Sequence, residues 1–166
     1  MAEDIRIRPA QPADVPLVLA FIRELAEYER LTQQVVATEA DLEVALFGVR
    51  PWAEVVIASL AGAPVGFALF FPNFSTFLGK PGIYLEDLYV RPQARGHGVG
   101  RHLLAWLAHA TLARGGGRLD WAVLDWNQPA IGFYRGVGAV PLEDWITYRL
   151  SGAALARLGA LAQGEG

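Results

Sequence analysis

The sequence predicts an α/β fold: one domain with a mixed central sheet and helices flanking it. Segments with strand-like alternation recur along the chain and are interleaved with segments of helical periodicity. A glycine-rich turn, Arg95-Gly96-His97-Gly98-Val99-Gly100, leads from a strand-like run into a helix-like one. The chain has 166 residues, 53% hydrophobic and 19% charged, which suits one well-filled core and excludes a disordered chain.

Ile5-Arg6-Ile7-Arg8 alternates apolar and charged residues and reads as a half-buried first strand ended by Pro9. Gln11-Pro12-Ala13-Asp14 opens a helix whose apolar positions Val15, Val18, Leu19, Ile22, Leu25 and Ala26 recur at helical spacing. Thr38-Glu39-Ala40-Asp41 has the outline of a capping box, followed by Leu42, Ala45 and Leu46. Trp52 to Leu60 and Val65 to Phe71 read as strands joined by the turn Ala61-Gly62-Ala63-Pro64. Pro72 to Gly82 is expected to be a loop carrying aromatic residues. Ile83 to Val90 is the next strand, and His102 to Ala113 the helix after the glycine turn. Gly115-Gly116-Gly117 ends that helix and starts a strand from Arg118 to Leu124. Asn127 to Arg135 reads as a short helix, Trp145 to Leu150 as a last strand, and Ser151 to Ala162 as a final helical stretch before a loose tail. Neither an internal repeat nor an interdomain linker interrupts the pattern.

Composition removes several function classes. A net charge of -3 argues against nucleic acid as the main partner, since a phosphate backbone needs a basic face. The chain has no cysteine, which excludes disulfides, thiolate nucleophiles and cysteine-based metal sites. The start, Met1-Ala2-Glu3-Asp4-Ile5-Arg6, has no apolar signal core, and no run is long enough to span a bilayer, so a cytoplasmic protein without a membrane partner is expected. His102 and His109 stand two helical turns apart, not at the i, i+4 spacing of a metal pair, and with His97 they read as surface residues; no metal is expected. The five tryptophans, Trp52, Trp106, Trp121, Trp126 and Trp145, read mostly as core or interface mass.

The glycine turn is the most informative segment. Glycines there bring backbone N–H groups close to a bulky ligand, and the helix that follows directs its unpaired N–H groups and positive dipole end to the same point. An anion such as phosphate or pyrophosphate suits it, although glycines also serve plain tight turns. The turn lacks the Gly-Lys-Ser/Thr ending of a nucleotide P-loop and has Arg101 after its last glycine. Its glycines are also spaced unlike the dinucleotide fingerprint.

The spacing Arg-x-x-Gly-x-Gly matches the pyrophosphate signature of the GCN5-related N-acetyltransferases. Ile83-Tyr84-Leu85-Glu86-Asp87-Leu88-Tyr89-Val90-Arg91-Pro92 resembles the strand before that loop in the superfamily. Val123 to Ile131, with Phe133-Tyr134 and Gly138-Ala139, resembles its later cofactor segment. The wording is most similar to the diamine branch, the spermidine/spermine and thialysine N-acetyltransferases, from Ile5 to about Leu150. The resemblance implies a single GNAT-type domain over 1–166, with a loose tail after about 162, that moves an acetyl group from acetyl-CoA to a primary amine as a homodimer.

What the resemblance implies can be carried onto individual residues. Leu88, Tyr89 and Val90 would align the thioester through exposed backbone groups. Arg95, Gly96, His97, Gly98, Val99, Gly100 and Arg101 would hold the pyrophosphate, with Asn127, Ala130 and Tyr134 also meeting the cofactor. Tyr134 would protonate the leaving thiolate; a Tyr beside Phe133 also suits a core aromatic. A lysine-like amine titrates near ~10 and must lose a proton before attack. Glu86 matches the family's base or proton relay, while Asp87 beside it is expected on the opposite strand face; the pair also suits a solvated strand end. Tyr28-Glu29 matches a pair lining the amine site, where an acid and a ring face suit a cation, though it also reads as an ordinary helix end. The loop Phe74-Ser75-Thr76-Phe77-Leu78-Gly79-Lys80 lacks the Asp of the polyamine enzymes at Ser75 or Thr76 and is closer to the thialysine enzymes. Two alternatives stay open: acetylation of a protein or peptide amine, and a CoA-binding sensor without catalysis.

Overall fold

The computed structural model describes residues 4–163. The chain divides into two compact units, Met1–Gln128 and Pro129–Gly166. The end of the expected loose tail, 164–166, lies outside the described residues.

The first unit contains β1 (Ile5–Pro9), α1 (Val15–Tyr28), α2 (Glu39–Phe47), β2 (Glu54–Leu60), β3 (Ala63–Ser75), β4 (Lys80–Val90), α3 (Val99–Ala113) and β5 (Leu119–Trp121). The strands form one five-stranded sheet in the order β1-β2-β3-β4-β5. Neighbours are antiparallel up to β4, whereas β4 and β5 run parallel and are connected through α3. A mixed sheet flanked by helices, as expected, is therefore the architecture.

The periodicities that indicate these elements also decide their faces. Val55, Ile57, Phe67, Leu69 and Tyr89 form one buried cluster with Val15, Val18, Leu19 and Phe21 of α1 and with Leu42 and Leu46 of α2. Phe21 lies flat against Phe67, ring centroids 5.4 Å apart. The alternate strand residues Val56, Ala58, Ala68 and Phe70 are buried too. Alternation puts them on the other face, where Phe70 meets Trp106 of α3 at 5.8 Å. The capping box holds as read: Asp41 N donates to Thr38 Oγ1 and Thr38 N donates to Asp41 Oδ2.

The structure corrects several boundaries. The β2–β3 hairpin turns on Ala61 and Gly62 alone, both with positive φ, so strand β3 already begins at Ala63. The expected loop Pro72–Gly82 is largely strand. Pro72 pairs with Ile83 beyond Phe70, the last β3 residue with a β2 partner, so it sits where β3 has lost one neighbour and a missing N–H is tolerated. The turn shrinks to Thr76–Gly79, with Gly79 at φ 63° and Leu78 N donating to the buried Ser75 Oγ at 3.1 Å. The helix α3 starts at Val99, inside the glycine motif rather than after it, because the buried Val99 side chain anchors its first turn.

The second unit contains most of α4 (Gln128–Gly136) and all of α5 (Gly152–Ala160). The expected strand Trp145–Leu150 is not formed. Trp145, Ile146 and Tyr148 are 76%, 77% and 90% exposed. Their apolar character reads as a strand, yet among the described residues of this unit no strand is available to pair with them.

Candidate active site

The site begins with an irregularity in β4. Leu69 of β3 pairs with Asp87 but its neighbour Phe70 pairs with Leu85, which leaves Glu86 as an extra residue on β4. Such a bulge bends its strand. On the other side, β4 pairs with β5 only at Ile83, Tyr84 and Leu85, and the pairing stops where the bulge begins. This is why β5 is three residues long instead of running from Arg118 to Leu124 as expected.

From Glu86 to Val90 the strand β4 is therefore laddered to β3 alone, and its other edge has no strand against it among the described residues. Arg91 N donates to Val65 O of the strand β3 at 2.8 Å. Backbone alternation then directs the N–H and C=O of Tyr89 to β3 and those of Leu88 and Val90 to the open edge. Tyr89, expected beside them, has its backbone groups directed into the sheet and its ring buried in the core cluster. Val90 O already accepts from Arg95 Nε at 2.9 Å, which leaves the N–H and C=O of Leu88 and the N–H of Val90 for an amide-bearing chain to pair with, as in strand addition.

The glycine turn lies just beyond this edge. Gly96 and Gly98 have φ of 82° and 87°, a conformation that favours glycine. A Cβ on Gly96 would meet nothing within 4 Å, so backbone conformation and not crowding selects the glycine. Gly98 is the N-cap of α3, and no side chain caps this end. The first-turn N–H groups, including those of Val99, Gly100 and Arg101, have no acceptor within the helix and form its positive end. Arg101 and His97 are exposed. His102 turns its Nδ1 back to within 2.9 Å of Gly98 O, so it supports the turn.

Facing the bulge is the end of α1. The helix stops at Glu29 because Arg30 adopts a left-handed conformation, φ 61°, and Leu31 N closes on Ala26 O at 2.8 Å. Burial, together with the negative charges of Glu86 and Glu29, pushes the Asp87 carboxyl up to about 6. Burial also raises Glu29. The charges of Glu29 and Glu86 thus act on Asp87 in one locality, with Glu86 exposed and Asp87 half-buried. Asp87 is the functional candidate that sequence reasoning missed. The bulge interrupts the alternation that expectation relied on, and the available signal was two adjacent acids within an otherwise apolar strand.

Tyr28 takes a different direction from Glu29. Its hydroxyl donates to Asn127 Oδ1 at 3.2 Å, and the Arg95 guanidinium lies 4.9 Å from its ring centroid. Beside it, a cavity of about 480 Å³ is lined by Tyr28, Tyr89, Arg91 and Arg95 among others. Arg91 is fixed there by its ion pair with Glu24 at 2.9 Å. Within the second unit, Ala130 and Tyr134 lie on α4, where the Tyr134 ring meets Phe133 at 5.5 Å. Among the described residues, no three His, Asp or Glu side chains gather in an arrangement that holds a metal ion.

Residues 21–139 match the model of the acetyltransferase (GNAT) family. The chain is 38% identical to a thialysine N-epsilon-acetyltransferase of Bos taurus, covering 93% of this chain and 96% of that protein. It is 34% identical to the L-ornithine N5-acetyltransferase NATA1 of Arabidopsis thaliana, covering 94% and 88% respectively. Among solved structures it is similar to an integron cassette protein from the mobile metagenome of V. cholerae, with a TM-score of 0.78 and 27% identity over 96% of this chain and 98% of that one. The bulged strand, its open edge and the glycine turn thus belong to a chain that is an N-acetyltransferase and a member of the acetyltransferase (GNAT) family.

Proposed function

We propose that the chain transfers an acetyl group from acetyl-CoA to the primary amine of a small cationic substrate, a thialysine-like amino acid, a diamine or a polyamine, by direct attack of the amine. One observation carries the reading: Glu29, Glu86 and Asp87 share a locality at the bulge where the open edge of β4 begins. A cation is favoured among those carboxylates, and the acyl group is aligned along the edge beside them.

The residues suit acetyl-CoA. Leu88 and Val90 leave alternating amide groups for an amide-bearing arm, and the turn Gly96–Arg101 directs a helix N-terminus at a pyrophosphate. Arg95 adds a positive charge, and Asn127 and Ala130 are the further residues proposed to meet the cofactor. When bound, acetyl-CoA supplies an activated thioester. Asp87, raised to about 6 by burial and the charges of Glu86 and Glu29 and ionised above that, takes the amine proton, with Glu86 as the exposed relay to water. Tyr134 returns a proton to the departing sulfur. The relatives' named substrates, thialysine and ornithine, support a small amino acid with a side-chain amine.

The remaining features fit one catalytic domain over 1–166, acting in the cytoplasm as a homodimer. Val140, Leu142, Trp145, Ile146 and Tyr148 are exposed apolar residues in a segment with strand-like composition, a surface suited to a second copy.

An amine panel tests the activity. Thiol release from acetyl-CoA is measured with thialysine, lysine, ornithine, putrescine, spermidine and an aminoglycoside. The expected result is release well above hydrolysis with at least one small diamine or lysine analogue, strongest for thialysine-like amino acids. A lysine-containing peptide is measured alongside them: release with the peptide only would favour protein acetylation, and none with any amine would favour a sensor.

A further inference from the structure

We infer that Tyr28 is a positioning residue for the cofactor side of the site, holding Arg95 and Asn127 in place, rather than a contact for the amine. The inference rests on the acetyltransferase reading above, which assigns Arg95 and Asn127 to the cofactor.

Tyr28 ends α1 and touches both residues at once. Its hydroxyl donates to Asn127 Oδ1 at 3.2 Å, and its ring lies 4.9 Å from the Arg95 guanidinium. Arg95 is held at a second point, where its Nε donates to Val90 O at 2.9 Å, on the open edge of β4. The Tyr89 ring adds a third, 5.8 Å from the same guanidinium. A long, flexible arginine is thereby ordered before any ligand arrives, which reduces the ordering cost of binding. Asn127 is buried, so the orientation of its amide depends on such partners. Glu29 follows immediately in sequence, but consecutive helical residues point in different directions, and its charge acts on Asp87 instead. One helix end therefore serves two ligands with two adjacent residues.

The test compares Tyr28→Leu and Tyr28→Phe with the unaltered chain. Acetyl-CoA affinity is measured by calorimetry without amine, and KM and kcat are measured for each substrate. Tyr28→Leu is expected to weaken acetyl-CoA binding by about three- to tenfold. The amine KM should move by less than about twofold. Tyr28→Phe keeps the ring beneath Arg95 and should recover most of the loss, leaving a deficit of about twofold from the missing hydroxyl. Unchanged acetyl-CoA affinity with a raised amine KM would overturn the inference and return Tyr28 to the amine. A phenylalanine variant no better than leucine would overturn it as well. Should the leucine variant fail to fold, Tyr28→Phe decides alone: a cofactor deficit without an amine effect supports the inference, and an unaltered affinity overturns it. An unaltered chain that binds no acetyl-CoA would instead refute the acetyltransferase reading, and the inference with it.

Discussion

Asp87→Asn is expected to lower kcat/KM for the amine by about a hundredfold or more, while making the folded protein more stable at neutral pH. Both effects have one cause. Burial and the charges of Glu86 and Glu29 raise the Asp87 carboxyl from 3.8 to about 6. Between those values the folded state binds more protons than the unfolded one, so stability falls as pH rises through the window. Above about 6 the ionised carboxylate costs the fold about 3 kcal/mol, and below 3.8 the cost is absent. Asparagine keeps the shape and removes the charge. Denaturant unfolding should therefore show a gain at pH 7 that disappears by about pH 3.8. The profile of kcat/KM against pH for the unaltered chain should rise through about 6, and this acid limb should be missing in the variant. A variant with normal turnover and the original limb would remove Asp87 from the chemistry.

Tyr134→Phe is expected to reduce kcat by about two to three orders of magnitude. Acetyl-CoA affinity should stay within about twofold, because only a hydroxyl is removed. Phenylalanine preserves the ring packed on Phe133 at 5.5 Å. It also preserves the main-chain carbonyl that accepts from Val137 N and Ala139 N at the end of α4, so a fall in rate would not reflect a lost helix end. Steady-state rates alongside calorimetric affinity separate the two quantities. Normal turnover would exclude Tyr134 as the acid that protonates the thiolate.

The helices and most strands were legible because their signals are local. The apolar stripe from Val15 to Ala26 and the Thr38–Asp41 box each need only a few neighbouring residues. What sequence could not show depends on pairing between distant segments. Pro72 reads as a strand breaker until the strand β2 is seen to end opposite Phe70. The Arg118–Leu124 run has the composition of a full strand, yet its partner bends away after Leu85. The same bulge hid Asp87, because a slip of one residue on β4 is set by its register with β3 and leaves no mark in composition. The glycine turn was the most legible part of the site, since the left-handed backbone at Gly96 and Gly98 strongly favours glycine. Its neighbour Tyr28 was read through its sequence pairing with Glu29, and the structure separates the two.

The open edge of β4 is the proposed seat of acetyl-CoA, and amide hydrogen exchange with and without the cofactor tests this most directly. The amides of Leu88 and Val90, open to exchange on the unpaired edge, should gain protection together with those of Gly96 to Arg101, while the Tyr89 amide, already bonded within the sheet, should change little. Protection confined to other segments, with Leu88 and Val90 exchanging as before, would contradict it.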